Sequence, residues 1–233
     1  MATIFGVDSA ERPTTLVSNG QTLYDWVTSK AGQAPAFWGR YIGGSYAITS
    51  DEVTFLHNKN CKILLIYNGA TSSSVSSTDG TADGQKAAKA ANALNVPSTT
   101  AIYADIEQPW KPTSTWIKGF AKTLYNNQFG PGFYANTVTG YFNTPYTTAY
   151  KEDTTYVGNH SSLVWPCQPE PGSSTAAGRP TWNPTPPPCL SQSNITFWQY
   201  AENCYGTKNK GNTYAISVDL DEARDSAATI NLW

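Results

Sequence analysis

The run Ala101-Ile-Tyr-Ala-Asp-Ile-Glu107 sets two carboxylates two residues apart at the end of an apolar, strand-like segment. Side chains alternate between faces along a strand, so Ala101, Tyr103, Asp105 and Glu107 share one face. Acids that end a buried face are costly unless they meet water, a partner or a substrate. Two carboxylates are also what glycoside cleavage needs: one protonates the leaving oxygen and the other handles the developing positive charge. The plainer reading is a strand end whose acids cap the next helix.

The elements that must position these acids alternate along the chain. Strand-like runs fall at residues 4–8, 37–42, 62–67, 100–107, 131–136, 163–166, 195–200 and 216–219. Helical spacing fills residues 21–30, 83–94 and 113–126, and Thr49-Ser-Asp reads as the cap of a further helix. Alternation of this kind predicts an α/β fold with a parallel sheet. Eight strands in this length predict a (β/α)8 TIM-like barrel, with one or two helices missing between strands five and seven. The whole chain, 1–233, reads as one domain with a Pro-rich loop insertion at about 167–189.

Active sites of such barrels lie at the C-terminal ends of the strands. Asp8, Asp105, Glu107 and Asp219 fall there, and the first and last strands of a closed barrel are neighbours. Arg40, Tyr67, Tyr134, Trp198 and Gln199 also fall at strand ends, and Tyr103 shares the face of Asp105. These six are the expected substrate-binding residues, giving an acidic pocket with aromatic walls.

Charged residues make up only 14% of the chain and aromatic residues 13%, with a net charge of −2. Few charges, many rings and many hydroxyls suit contact with sugars. The absence of a basic run argues against nucleic acid and anionic membranes. The longest apolar run, Ile63-Leu-Leu-Ile-Tyr67, is far short of a membrane span. Met1-Ala-Thr leads straight into Ile4 without a leader pattern, yet the composition is that of an exported protein, and a secreted monomer is expected. Cys167 and Cys189 bracket the Pro-rich stretch, and a bridge between them would contribute roughly 3 kcal/mol. Cys167–Cys204 is the rival pairing, and Cys61 reads as a buried thiol. Two distant histidines and no Cys-x-x-Cys leave no expected metal site or cofactor, although a hard cation is a rival occupant for Asp105, Glu107, Asp219 and Asp221.

Gly6-Val-Asp8, Ile102-Tyr-Ala-Asp-Ile-Glu107 and Trp198-Gln-Tyr200 followed by Val218-Asp-Leu-Asp221 resemble the family 25 glycoside hydrolases, N-acetylmuramidases on TIM-like barrels. Gly39-Arg-Tyr-Ile42, Ile48-Thr-Ser-Asp-Glu52 and Gly84-Gln-Lys-Ala-Ala88 before Leu94-Asn-Val-Pro97 resemble a related glycoside-hydrolase-like family of mostly exported bacterial proteins. The resemblance implies Glu107 as general acid, Asp105 as its partner, and Asp8 and Asp219 as the first- and last-strand acids. It also implies a 2-acetamido group of the substrate as internal nucleophile. Two functions follow from these readings. One is hydrolysis of a cell-wall or N-acetylated polysaccharide of peptidoglycan type. The other is a non-catalytic carbohydrate-binding or effector protein on the same barrel.

Overall fold

A computed structural model describes residues 2–77, 79–159, 163–167, 179–211, 214–224 and 231–233. The elements in order are β1 (Thr3–Asp8), α1 (Leu23–Ala31), β2 (Phe37–Ile42), α2 (Ser50–Asn58), β3 (Lys62–Tyr67), α3 (Ser72–Val75), α4 (Thr81–Ala93) and β4 (Ala101–Ile106). Then come α5 (Ser114–Asn126), β5 (Gly130–Ala135), α6 (Asn143–Glu152), β6 (Leu163–Pro166), β7 (Phe197–Lys208) and β8 (Ala215–Arg224). Local chemistry explains the helix starts. Thr49 and Glu52 form a reciprocal capping box at α2, and Thr113 accepts the Trp116 N–H at 3.1 Å to open α5.

One sheet holds all eight strands in the order β6-β5-β4-β3-β2-β1-β8-β7. Neighbours from β1 to β6 pair in parallel, whereas β8 is antiparallel to both β1 and β7. Thus β7 runs with the first six strands and β8 alone runs against them. The expected eighth parallel strand is instead the return arm of a β7–β8 hairpin. A hairpin needs only a short turn, so the crossover helix that a parallel strand would require is not called for. Of the stretch between strands five and seven, where one or two helices were expected to be missing, α6 lies between β5 and β6 and buries Tyr146 and Ala149. Among the described residues only a 3-10 turn, Gln192–Asn194, lies between β6 and β7.

The sheet curls on itself. Strands β4 and β7 are five positions apart, about 24 Å if the sheet were flat. Yet the Tyr103 and Phe197 rings lie 5.7 Å apart, and Phe37 of β2 meets Phe197 at 5.4 Å. Phe37, Leu64, Ile66, Ala101, Tyr103, Trp165, Phe197 and Leu232 fill the enclosed face as one apolar cluster. The alternate strand residues, such as Val7, Trp38, Ile63, Leu65, Ile102 and Phe133, pack outward against the helices in a second cluster. Large inward side chains face glycines on the adjacent strand: Phe37 faces Gly6, and Tyr103 faces Gly132. A Cβ at Gly6 or Gly132 would lie 2.2 and 2.5 Å from those rings.

The Cys167–Cys189 bridge expected from the sequence is not formed, and neither is Cys167–Cys204. Cys167 is buried at the end of β6, and residues 168–178 of the Pro-rich insertion lie outside the described residues. Among the described residues, no helix is long and apolar enough to cross a membrane.

Candidate active site

Where the seven co-directional strands end, their side chains and those of the hairpin enclose a cavity of about 150 Å³. Asp8, Tyr41, Ile66, Asp105, Tyr134, Trp165 and Gln199 come from β1 to β7 in turn, with Glu107 just beyond β4. Asp219 enters from β8, directly opposite Asp8 in the ladder. Glu202 completes the lining because β7 is irregular beyond Gln199, with register shifts and a left-handed Asn203 at φ 55. Bulges of this kind re-aim side chains at rims. The same kink points the Asn203 N–H at Asp219, donating to Oδ1 at 2.7 Å.

Gln199 organises the floor. Its Nε2 donates to Asp8 Oδ2 at 2.8 Å and approaches Asp219 Oδ2 at 3.5 Å, while its Oε1 accepts the Tyr134 hydroxyl at 2.8 Å. The carboxylate oxygens, which accept, fix the amide's nitrogen end, and the Tyr134 hydroxyl, able to donate or accept, then donates to its oxygen. Beneath it Asp221, fully buried, accepts the Trp165 indole N–H at 3.1 Å.

The acids raise one another. Burial first, then the charges of Glu107 and Asp219, push the Asp105 carboxyl up to about 7. Asp219 is pushed up to about 6, again by burial first, although the Asn203 N–H works the other way. Burial lifts Asp8 well above the ordinary carboxylate range, with Asp219 adding repulsion, and lifts Asp221 likewise with Asp8 adding repulsion. A protonated Asp221 donating to Asp8 is the arrangement that relieves this pair. Glu107, exposed at the mouth, is raised by partial desolvation and by Glu202. Asp105 and Asp219 therefore keep their protons closer to neutrality than ordinary aspartates do.

Six of the ten expected site residues meet here: Asp8, Asp105, Glu107, Asp219, Tyr134 and Gln199. Tyr103 lies under the floor in the inner cluster, fully buried against Trp165. Arg40, Tyr67 and Trp198 are on the outer face of the sheet and are not brought to the cavity. Arg40 is fully buried, ion-paired with Glu52 at 2.9 Å and donating to the Ser9, Ala10 and Tyr46 carbonyls. The Tyr67 hydroxyl donates to Asp83 of α4, which also accepts the Trp116 indole N–H of α5. Trp198 packs against Trp182 and Tyr200. Tyr41, Trp165 and Glu202 were missing from the expected set. Strand parity marks Tyr41, which shares the face of Phe37 and Gly39 and excludes Arg40 from it. The bulge that turns Glu202 inward leaves no comparable signal.

The family described as Rv2525c-like, glycoside hydrolase-like domain matches residues 31–223. An uncharacterized B. stearothermophilus protein is 26% identical, covers 99% of this chain and 100% of its own, and superposes with a TM-score of 0.78. The Mycobacterium tuberculosis Tat-secreted protein Rv2525c is 15% identical over 99% of this chain and 98% of its own, with a TM-score of 0.57. A bacterial lysozyme from Streptomyces coelicolor is 15% identical over 99% of this chain and 96% of its own, with a TM-score of 0.52. The last two likenesses are likenesses of fold. No curated protein matches the chain.

Proposed function

The chain belongs to the Rv2525c-like, glycoside hydrolase-like domain family, and from that membership and its acid-lined cavity we propose that it is a glycoside hydrolase. Its substrate is a cell-wall or N-acetylated polysaccharide, met outside the cell by an exported monomer on a TIM-like barrel. The observation that carries this reading is the convergence of Asp105, Glu107, Asp8 and Asp219 on one cavity walled by Tyr41, Tyr134 and Trp165. Export and a wall-type glycan are supported by the fold shared with a Tat-secreted protein and a bacterial lysozyme.

In this mechanism Glu107, at the mouth, gives its proton to the glycosidic oxygen as the C1–O bond breaks. The substrate's acetamido oxygen attacks C1, and Asp105 orients the acetamido N–H. Water then opens the cyclic intermediate, and Glu107 takes back a proton. Asp8 and Asp219, held by Gln199, set carboxyl oxygens under the oxocarbenium-like transition state, whose positive charge favours their ionised form. Glu107 has the exposure a leaving-group acid needs, and Asp105 sits deeper, where the sugar's 2-position would lie.

The test is product analysis by mass spectrometry on peptidoglycan and chitin oligomers, with parent protein and Glu107→Gln side by side. New reducing ends from the parent alone are expected. Binding to a glycan without products from either protein would replace the hydrolase with a carbohydrate-binding protein on the same fold.

A further inference from the structure

Hydrolysis needs two carboxylates, and this site has more than it needs. Beside the cavity lies a second depression of about 290 Å³ that shares Asp8, Tyr41 and Asp219 with it. Ser9, Glu11, Tyr46, Asn203 and Ser217 extend it along the hairpin. Together the two volumes carry Asp8, Glu11, Asp105, Glu107, Glu202 and Asp219, and among the described residues no Lys, Arg or His lines either.

That lack of cations is local. Elsewhere the fold pairs its buried acids with guanidinium groups: Glu52 with Arg40 at 2.9 Å, and Glu222 with Arg179 at 2.7 Å. Arg40, next to Tyr41 in sequence, lies on the opposite face of β2: it pairs with Glu52, donates to the Ser9 and Ala10 carbonyls behind the second depression, and its charge reaches Glu11 but lines neither volume. Buried carboxylates without a counter-charge are unfavourable, and an arriving cation relieves them. Among the described residues the acids do not gather into a group of three suited to a metal ion. The space also exceeds a bare ion, and Tyr41 and the 58% exposed Tyr46 offer ring faces. An ammonium group has donors only and an ionised carboxylate has acceptors only, so the two are complementary.

Resting on the hydrolase reading, we infer that the glycan taken by this site is a partly de-N-acetylated hexosamine polymer. An acetamido sugar occupies the place between Asp105 and Glu107, and ammonium-bearing sugars lie along Asp8, Glu11 and Asp219. Anionic glycans are repelled by the same lining.

Calorimetry with two glucosamine oligomers of equal length, one fully N-acetylated and one partly de-N-acetylated, tests this on the Glu107→Gln protein. At low salt the de-N-acetylated oligomer should bind at least about tenfold tighter, and the preference should shrink in 1 M salt, where the screening length falls to about 3 Å. Glu11→Gln, which removes the charge but keeps an oxygen to accept from Thr15 or Tyr214, should reduce the preference severalfold, with an unchanged urea midpoint showing that the fold is intact. Equal affinity for the two oligomers would overturn the inference, and it would leave the hydrolase reading standing if the parent cleaves either one. A salt-sensitive preference without cleavage by the parent would uphold the ammonium class and overturn hydrolysis.

Discussion

Gly39 of β2 is the ladder partner of Asp8 on β1, and a Cβ on Gly39 would lie 2.4 Å from the Asp8 Cβ. The first-strand acid thus occupies space that only a glycine neighbour leaves open. Gly39→Ala should displace Asp8 from the Gln199 amide, destabilise the protein by about 1–3 kcal/mol as overpacking does, and cut turnover. Urea denaturation and a rate assay on the same preparation check it. An unchanged rate would mean that Asp8 is not needed where it stands.

Gln199 joins Tyr134 to Asp8 and Asp219, so losing its amide strands several polar groups at once. Gln199→Leu should cost on the order of 1–3 kcal/mol, the penalty for unmet buried polar atoms. Tyr134→Phe, which frees only the acceptor end of the amide, should cost less. Equal midpoints for both variants and the parent would show that the bridge is not holding the acids.

Asp105 is neutral in the folded protein up to about pH 7, while an unfolded chain ionises its aspartates near pH 4. Between those values the folded state binds the extra proton, so stability falls as pH rises through the window. Asp219, raised to about 6, acts in the same direction. The melting temperature should therefore be higher at pH 5 than at pH 8, and Asp105→Asn should flatten the difference. A parent profile that rises from pH 5 to pH 8 would contradict the assignment.

Arg40 is predicted to be a structural residue. Arg40→Met leaves Glu52 buried without its partner and should cost about 3–5 kcal/mol. The Arg40→Met, Glu52→Leu double variant should recover much of that loss and still bind glycan. A stable single variant that fails to bind would return Arg40 to the site.

Substrate assistance predicts which bonds are cut. In a partly de-N-acetylated oligomer every new reducing end should be an N-acetylated sugar, since an ammonium group cannot attack C1. Reducing ends on free amino sugars, read by mass spectrometry, would exclude the acetamido group as nucleophile.

The local information in the chain was enough for most of the elements and for the acids. Alternation along residues 101–107 put Asp105 and Glu107 on one face, because a two-residue period is written in the sequence itself, and a strand end marked Asp8. Asp219, expected at a strand end, lies within β8 and reaches the cavity as the ladder partner of Asp8. The same period also separates Arg40 from Tyr41, Tyr67 from Ile66 and Trp198 from Gln199. Parity alone does not say which set faces inward, since β3 is apolar on both sides. The curl of the sheet decides that, by bringing Phe197 against Phe37 and Tyr103 and so fixing one face as interior.

Tertiary structure also decided the last strand. The segment around Asp219 has the same residues whether it arrives by a crossover or by a hairpin, and the ladder partners alone make it antiparallel to β1. The bulged stretch of β7 paired with it carries Asn203 and Glu202 to the rim, and residues of both arms line the groove beside the acids. What the sequence by itself determined was which residues could do the chemistry. Which of them share a cavity, and which acids keep a counter-charge, was settled by long-range packing, because burial and charge pairing depend on partners far apart in the chain.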